Sequence, residues 1–120
     1  MKTILVADDK ATGRELVRTV LEKSGYAVVE ASDGLEAIRC AREQKPDLII
    51  LDLHMPGLDG FGVSQELRRE AQFATTPIMA LTASAMQGDR ERAMAVGFTG
   101  YVTKPIRLVV LRGEVERLLG

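Results

Sequence analysis

The sequence predicts an open α/β sandwich, a five-stranded parallel sheet covered by helices on both faces, and three observations carry that expectation. Short runs of aliphatic and β-branched residues recur at about residues 3–7, 27–31, 47–52, 77–81 and 99–103. The segments between them, 11–24, 34–44, 60–71, 86–96 and 106–119, have helical periodicity. Leu48-Ile49-Ile50-Leu51 is apolar without alternation, as a strand buried on both faces requires. Strands alternating with helices make βαβ units, and right-handed crossovers place those helices on both sides of the sheet.

Each element has its own signals. The first strand runs through Ile4, Leu5 and Val6 into Asp8 and Asp9. The first helix gathers Leu16, Val17, Val20 and Leu21 on one side, and Gly25 stops it. The second strand ends in Glu30-Ala31-Ser32, the blandest of the five tips, and Asp33 is placed to cap a helix whose apolar stripe is Leu35, Ile38 and Ala41. Lys45-Pro46 ends that helix, and the third strand delivers Asp52. Pro56 and Gly60 suit the turn that follows, with Asp59 a turn or cap residue of the third helix. The fourth strand ends in Thr82, and its helix closes at Gly97; Met79, Met86 and Met94 read as packing residues. Tyr101 reads as half-buried in the fifth strand, which ends in Lys104-Pro105. The last helix spaces Leu108, Leu111, Val115, Leu118 and Leu119 along one side, while Val109 and Val110 widen its apolar face beyond one core stripe, as a docking face would. Gly13 and Gly113 interrupt helices at about 1 kcal/mol each relative to alanine.

Composition narrows the classes. At 120 residues, of which 46% are hydrophobic and 4% aromatic, residues 1–120 read as a single domain with an aliphatic core and no output domain. Sixteen basic against 17 acidic residues leave a formal charge of -1, which argues against direct DNA binding. The single cysteine, Cys40, excludes an internal disulfide and a multi-cysteine metal site. The N-terminal apolar run is too short for a signal peptide or a membrane span, so a cytoplasmic protein without membrane insertion is expected.

In a doubly wound sheet of flavodoxin-like order 2-1-3-4-5, ligands bind beyond the carboxyl ends of the strands. That order puts strand two at the edge and makes the tips bearing Asp8-Asp9, Asp52, Thr82 and Lys104 neighbours. Like charges ~4 Å apart at an effective dielectric of ~20 repel by about 4 kcal/mol, so the three acids must retain a proton or attract a cation. Oxygen donors select a hard ion, and few carboxylates with room for water and phosphate is the magnesium pattern. Lys104 and Thr82 would stabilise a phosphoryl group there, making Asp52 a candidate nucleophile for an aspartyl phosphate. Taken alone, Asp8-Asp9 would cap the first helix; the presence of Asp52 and Lys104 favours the site.

From ILVADD through LIILDLHMPGLDG and PIMALTA to GYVTKP, the whole chain resembles the response-regulator receiver domains of two-component systems. The resemblance implies that Asp52 is the phosphoacceptor. It makes Asp9 a direct Mg²⁺ ligand and Asp8 a direct or water-mediated one, with Asp52 and the backbone carbonyl of His54 completing the metal set. Mn²⁺ is expected to substitute. Thr82, the Ala83 amide and Lys104 would hold the phosphoryl oxygens, and Thr82 with Tyr101 would form the switch. Pro56, Gly60 and a cis Pro105 would shape the loops. A sensor histidine kinase or histidine phosphotransfer protein would supply the phosphate, and a changed surface of helix four, strand five and helix five would control a downstream protein target. Such a protein is a switch that catalyses its own phosphorylation and dephosphorylation, not a conventional enzyme.

His54, the sole histidine, reads as an exposed residue at the rim, or as a modulator of water access to the aspartyl phosphate. Ser84 flanks the pocket similarly. Among other functions, a Mg²⁺-dependent aspartyl-phosphate phosphatase would want a second aspartate where His54 stands. A flavin protein would want hydroxyl and glycine donors where ADDKATG presents acids. A pseudo-receiver that binds partners without phosphorylation would lack part of the site.

Overall fold

The computed structural model describes residues 1–83 and 88–120. Strands β1 (Thr3–Ala7), β2 (Ala27–Ala31), β3 (Leu48–Asp52), β4 (Ile78–Thr82) and β5 (Gly100–Thr103) alternate with helices α1 (Ala11–Lys23), α2 (Gly34–Gln44), α3 (Gly60–Arg68), α4 (Asp89–Ala95) and α5 (Leu108–Leu119). All pairings are parallel, in the order β2-β1-β3-β4-β5 that the polar tips predict. Successive strand residues point to opposite faces, which splits the interior into two cores. Ile4, Val6, Leu48, Ile50, Met79 and Leu81 pack with Val17 and Leu21 of α1 and with Leu111 and Val115 of α5. Leu5, Ile49, Leu51, Ile78 and Ala80 pack on the other side with residues of α2, α3 and α4. Every residue of β3 and β4 is buried, so the side chains at their C-terminal ends are held by packing on both faces.

Asp33 accepts the Glu36 N–H and Asp59 accepts the Gly62 N–H, so both cap their helices. Asp8 and Asp9 do not cap α1, whose N-cap position is Lys10 with no side-chain bond. Helix α3 stops earlier than periodicity predicts. Glu70 N–H bonds back to Leu67, a 3₁₀ turn at Ala71–Phe73 follows, and Phe73 drops into the core. Arg68 turns from the helix end to donate to the carbonyls of Gly97, Phe73 and Thr76. Leu35 is also not on the inner stripe: α2 faces inward through Gly34, Ala37, Ile38 and Ala41, leaving Leu35 72% exposed. Likewise Ala93 is the buried residue of α4, and its neighbour Met94 is 53% exposed. Met79 is in the core; Met86 and Ser84 lie outside the described residues.

Candidate functional site

The tips of β1, β3, β4 and the segment after β5 converge at the C-terminal edge of the sheet. Asp8 is 1% exposed, and its N–H donates to Ala31 O of the neighbouring strand end at 3.2 Å. Its Oδ1 accepts the Lys10 N–H at 3.0 Å, and its Oδ2 accepts from Lys104 Nζ at 2.8 Å. Asp52, 6% exposed, accepts the His54 N–H on Oδ1 at 3.0 Å and meets Lys104 Nζ at 3.5 Å on Oδ2. Asp9 is exposed. One oxygen from each of Asp8, Asp9 and Asp52 falls within 4.8 Å of the others, a donor set made wholly of carboxylates. Asp9, Lys10, Asp52, His54, Ala83 and Lys104 line an open cavity of about 260 Å³ above them.

The two buried carboxylates are in different electrostatic states. Burial raises the pKa of Asp8, but the Lys104 hydrogen bond, the Lys10 N–H and the lysine charge together hold it below the usual carboxylate range. Burial also raises Asp52, where the His54 N–H and the more distant Lys104 do not compensate, so its pKa lies above the usual range. Lys104 itself is raised, its acid partners outweighing its own burial. Without a cation, therefore, Lys104 serves Asp8 first, and Asp52 is the less well compensated of the two.

Thr82 is fully buried at the end of β4, and its carbonyl accepts the Lys104 N–H at 2.7 Å. Ala83 beside it is exposed at the cavity. The Lys104–Pro105 peptide bond is cis. Tyr101 is half-buried on β5, its ring 5.7 Å from the Arg90 guanidinium of α4; burial and the nearby Asp89 raise its phenol pKa. In the loop after β3, Met55 is buried and Pro56 exposed, and Gly57 takes the positive φ of 75° that the turn needs.

Gly60 has a different task from the turn residue expected of it. It opens α3, where a Cβ would lie 2.4 Å from the Asp52 carbonyl oxygen. Gly60→Ala is expected to cost about 1–3 kcal/mol by forcing the helix start away from β3. A thermal melt checks this, and an unchanged Tm would show that the helix simply backs off.

Three contacts escape sequence reasoning. A Cβ on Gly13 would sit 3.0 Å from Asp8 Oδ2, so the glycine inside α1 gives the acid room; its helix-breaking character is the only sequence signal. Glu30, at the tip that reads as blandest, ion-pairs with Arg14, which in turn donates to the Asp8 carbonyl. His54 is exposed at the cavity rim, its side chain 48% exposed, and it also has contacts that the sequence does not show: its Nε2 lies 3.6 Å from Asp89 Oδ2 at the start of α4, and its ring meets Phe61 edge-on at 6.4 Å.

Among the described residues no helix is long and apolar enough to cross a membrane. The sequence matches the family described as response regulator receiver domain over residues 4–116. It is 34% identical over 119 residues to the polar-differentiation response regulator DivK of Brucella anthropi, covering 99% of this chain and 97% of that protein. In structure it resembles the chemotaxis protein CheY4 of Vibrio cholerae, with a TM-score of 0.95 and 34% identity over 99% of both chains. It also resembles the receiver domain of the sensor histidine kinase PA1611 of Pseudomonas aeruginosa, whose structure has a magnesium ion coordinated in the active-site cleft. That match has a TM-score of 0.92 and 34% identity, over 99% of this chain and 98% of the other. With buried acids at strand ends, a bridging lysine and this likeness along its full length, the chain belongs to the response-regulator receiver family and is a phosphorylation-dependent signalling switch of a two-component system.

Proposed function

We propose that Asp52 accepts a phosphoryl group from a phosphohistidine on a sensor kinase or phosphotransfer protein, in a Mg²⁺-dependent reaction. The observation that carries this reading is the set of three carboxylates, with oxygens within 4.8 Å, around a strand-end aspartate that only partly shares a lysine. An all-oxygen set fits a hard divalent ion, and the magnesium in the cleft of the Pseudomonas receiver supports the choice. Asp9, Asp8 directly or through water, Asp52 and the His54 carbonyl would hold it, with Mn²⁺ able to substitute. When bound, the ion offsets the charge of the carboxylates and of the incoming phosphoryl oxygens.

The residues of the chain do the remaining work by position. An Asp52 carboxylate oxygen forms the new O–P bond as the P–N bond to the donor imidazole breaks. The Lys104 ammonium, the Thr82 hydroxyl and the Ala83 N–H hold the phosphoryl oxygens, with little covalent chemistry beyond the carboxylate itself. Hydrolysis of the acyl phosphate by water resets the switch. Thr82 and Tyr101 couple the phosphorylated state to the α4–β5–α5 surface, where Val110 is 46% exposed, and a downstream protein reads that surface. Residues 1–120 act as a receiver in the cytoplasm, by protein contact.

The test is intact-mass and ¹⁹F NMR detection of adducts formed with acetyl phosphate and with beryllofluoride. One adduct per chain is expected, dependent on Mg²⁺ and absent from Asp52→Asn. No adduct on the wild type would replace this reading with that of a binding module that works without phosphorylation.

A further inference from the structure

We infer that Arg14, anchored by Glu30, is a positioning residue for the metal-binding limb of the site, setting the aim of Asp9 through the main chain. The inference rests on the reading of Asp9 as a cation ligand. Asp9 is exposed, and among the described residues its carboxylate has no hydrogen-bond partner. The point and direction from which it leaves the backbone are therefore set by the two peptide groups that flank it, and both are tied. The carbonyl of the Asp8–Asp9 peptide accepts from Arg14 Nη1 at 2.8 Å. The N–H of the Asp9–Lys10 peptide donates to Asp8 Oδ1 at 3.0 Å.

The second tie belongs to the site itself, whereas the first reaches outside it. Arg14 Nε donates to Glu30 Oε1 at 3.1 Å, with both side chains largely covered. The other Glu30 oxygen accepts from Arg18 Nη1 at 2.7 Å, and Arg18 Nε meets Glu22 at 3.2 Å. The Arg18 hydrogen bond is the largest influence on Glu30, and with Arg14 it holds the carboxyl below its ordinary pKa despite burial. Glu30 is thus a fixed anion at the end of β2, one residue before the Ala31 carbonyl that receives the Asp8 N–H. A planar guanidinium with divergent donors can serve carbonyl and carboxylate together, which a lysine ammonium does less well. Partners of this kind behind metal ligands change affinity about 10- to 100-fold when removed.

Charge and position predict opposite signs. Removing a positive charge beside a cation site should tighten Mg²⁺ by Coulomb attraction alone, whereas loss of positioning should weaken it. Calorimetric titration of the unphosphorylated protein with MgCl₂ is expected to give a Kd about tenfold weaker or more for Arg14→Met, with smaller losses for Glu30→Gln and Arg14→Lys. An unchanged or tighter Kd overturns the inference, even if Tm falls. Amide exchange in Mg²⁺-free protein, followed by NMR, is the second arm. The Lys10 amide, bonded to Asp8 Oδ1, should exchange faster in Arg14→Met and Glu30→Gln than in wild type, and equal rates overturn the inference. Should wild type bind no Mg²⁺, the proposed function fails, while the exchange arm still decides whether Arg14 holds the Asp9 peptides. If Arg14→Met does not fold, Glu30→Gln and Arg14→Lys carry both measurements.

Discussion

Asp52→Asn is expected to melt about 2–5 °C above the wild type at pH 7 in chelator, while losing all phosphoryl acceptance. The gain follows from the raised pKa of the buried Asp52 carboxylate. An acid whose folded-state pKa lies above its unfolded value stabilises the fold below the unfolded pKa, and that contribution is lost as pH rises through the folded one. At neutral pH the ionised Asp52 therefore burdens the fold. Asparagine removes the charge and keeps an oxygen for the His54 N–H. The difference between variant and wild type should shrink as pH falls toward the ordinary carboxylate range, and Mg²⁺ should shrink it at pH 7 by stabilising the wild type alone. Asp8→Asn is the contrasting control. The Asp8 pKa is depressed, so its contribution is present above the unfolded pKa and lost as pH falls through the folded one. That variant should melt lower at pH 7. Melts over pH 4–7 decide both, and a variant at position 52 that gains nothing at neutral pH would refute the account.

Lys104→Met is expected to have the larger effect on stability, a loss of about 2–4 kcal/mol. Methionine keeps most of the apolar stem but leaves Asp8, 1% exposed, without the cation 2.8 Å away. Breaking a buried pair from one side typically costs about 3–5 kcal/mol, reduced here because Lys104 keeps some contact with solvent. The same substitution should abolish phosphorylation, since the ammonium faces both Asp8 and Asp52. Denaturant unfolding of the two single variants and of Asp8→Asn/Lys104→Met checks the cause. The double variant should recover much of the loss, because the charge left buried in the single variant is gone. Losses that simply add would show that Lys104 stabilises by its stem alone.

The architecture was readable because two independent patterns agree. Buried parallel strands must be continuously apolar, as Leu48 to Leu51 are, and a polar residue ending such a run can only stand at a sheet edge. The gathering of the strand tips that bear Asp8, Asp52, Thr82 and Lys104 at one edge of the sheet follows once strand two is put at the margin. Asp33 and Asp59 were readable as caps because a cap is a local interaction. What escaped is nonlocal or a matter of angle. Leu35 and Ile38 both fit a helical stripe, but only the approach of α2 to the sheet decides which is inside. Arg68 ends α3 by reaching carbonyls near β4 and after α4, and no local pattern marks that reach. His54 meets Asp89 across 35 positions of the chain, a pairing that exists only once α4 is docked. Glu30 looked inert because its partner lies on another element. Gly13 left a trace, a glycine where helix formation argues against one, but the reason lies in the side chain of Asp8.

The Lys104–Asp8 bond joins residues 96 positions apart. Closing so long a loop has an entropic cost that must be met before the contact stabilises anything, so this bond belongs to the late, fully assembled chain. The surroundings of Asp52 are contributed by β1, β3, β4 and the segment after β5, with the lysine arriving last in synthesis. A nascent or C-terminally frayed chain can present Asp52 on its strand, yet it lacks the Lys104 ammonium that lies between Asp8 and Asp52. Under the proposed function, competence to be phosphorylated would thereby report that the first strand and the segment after the last one have met.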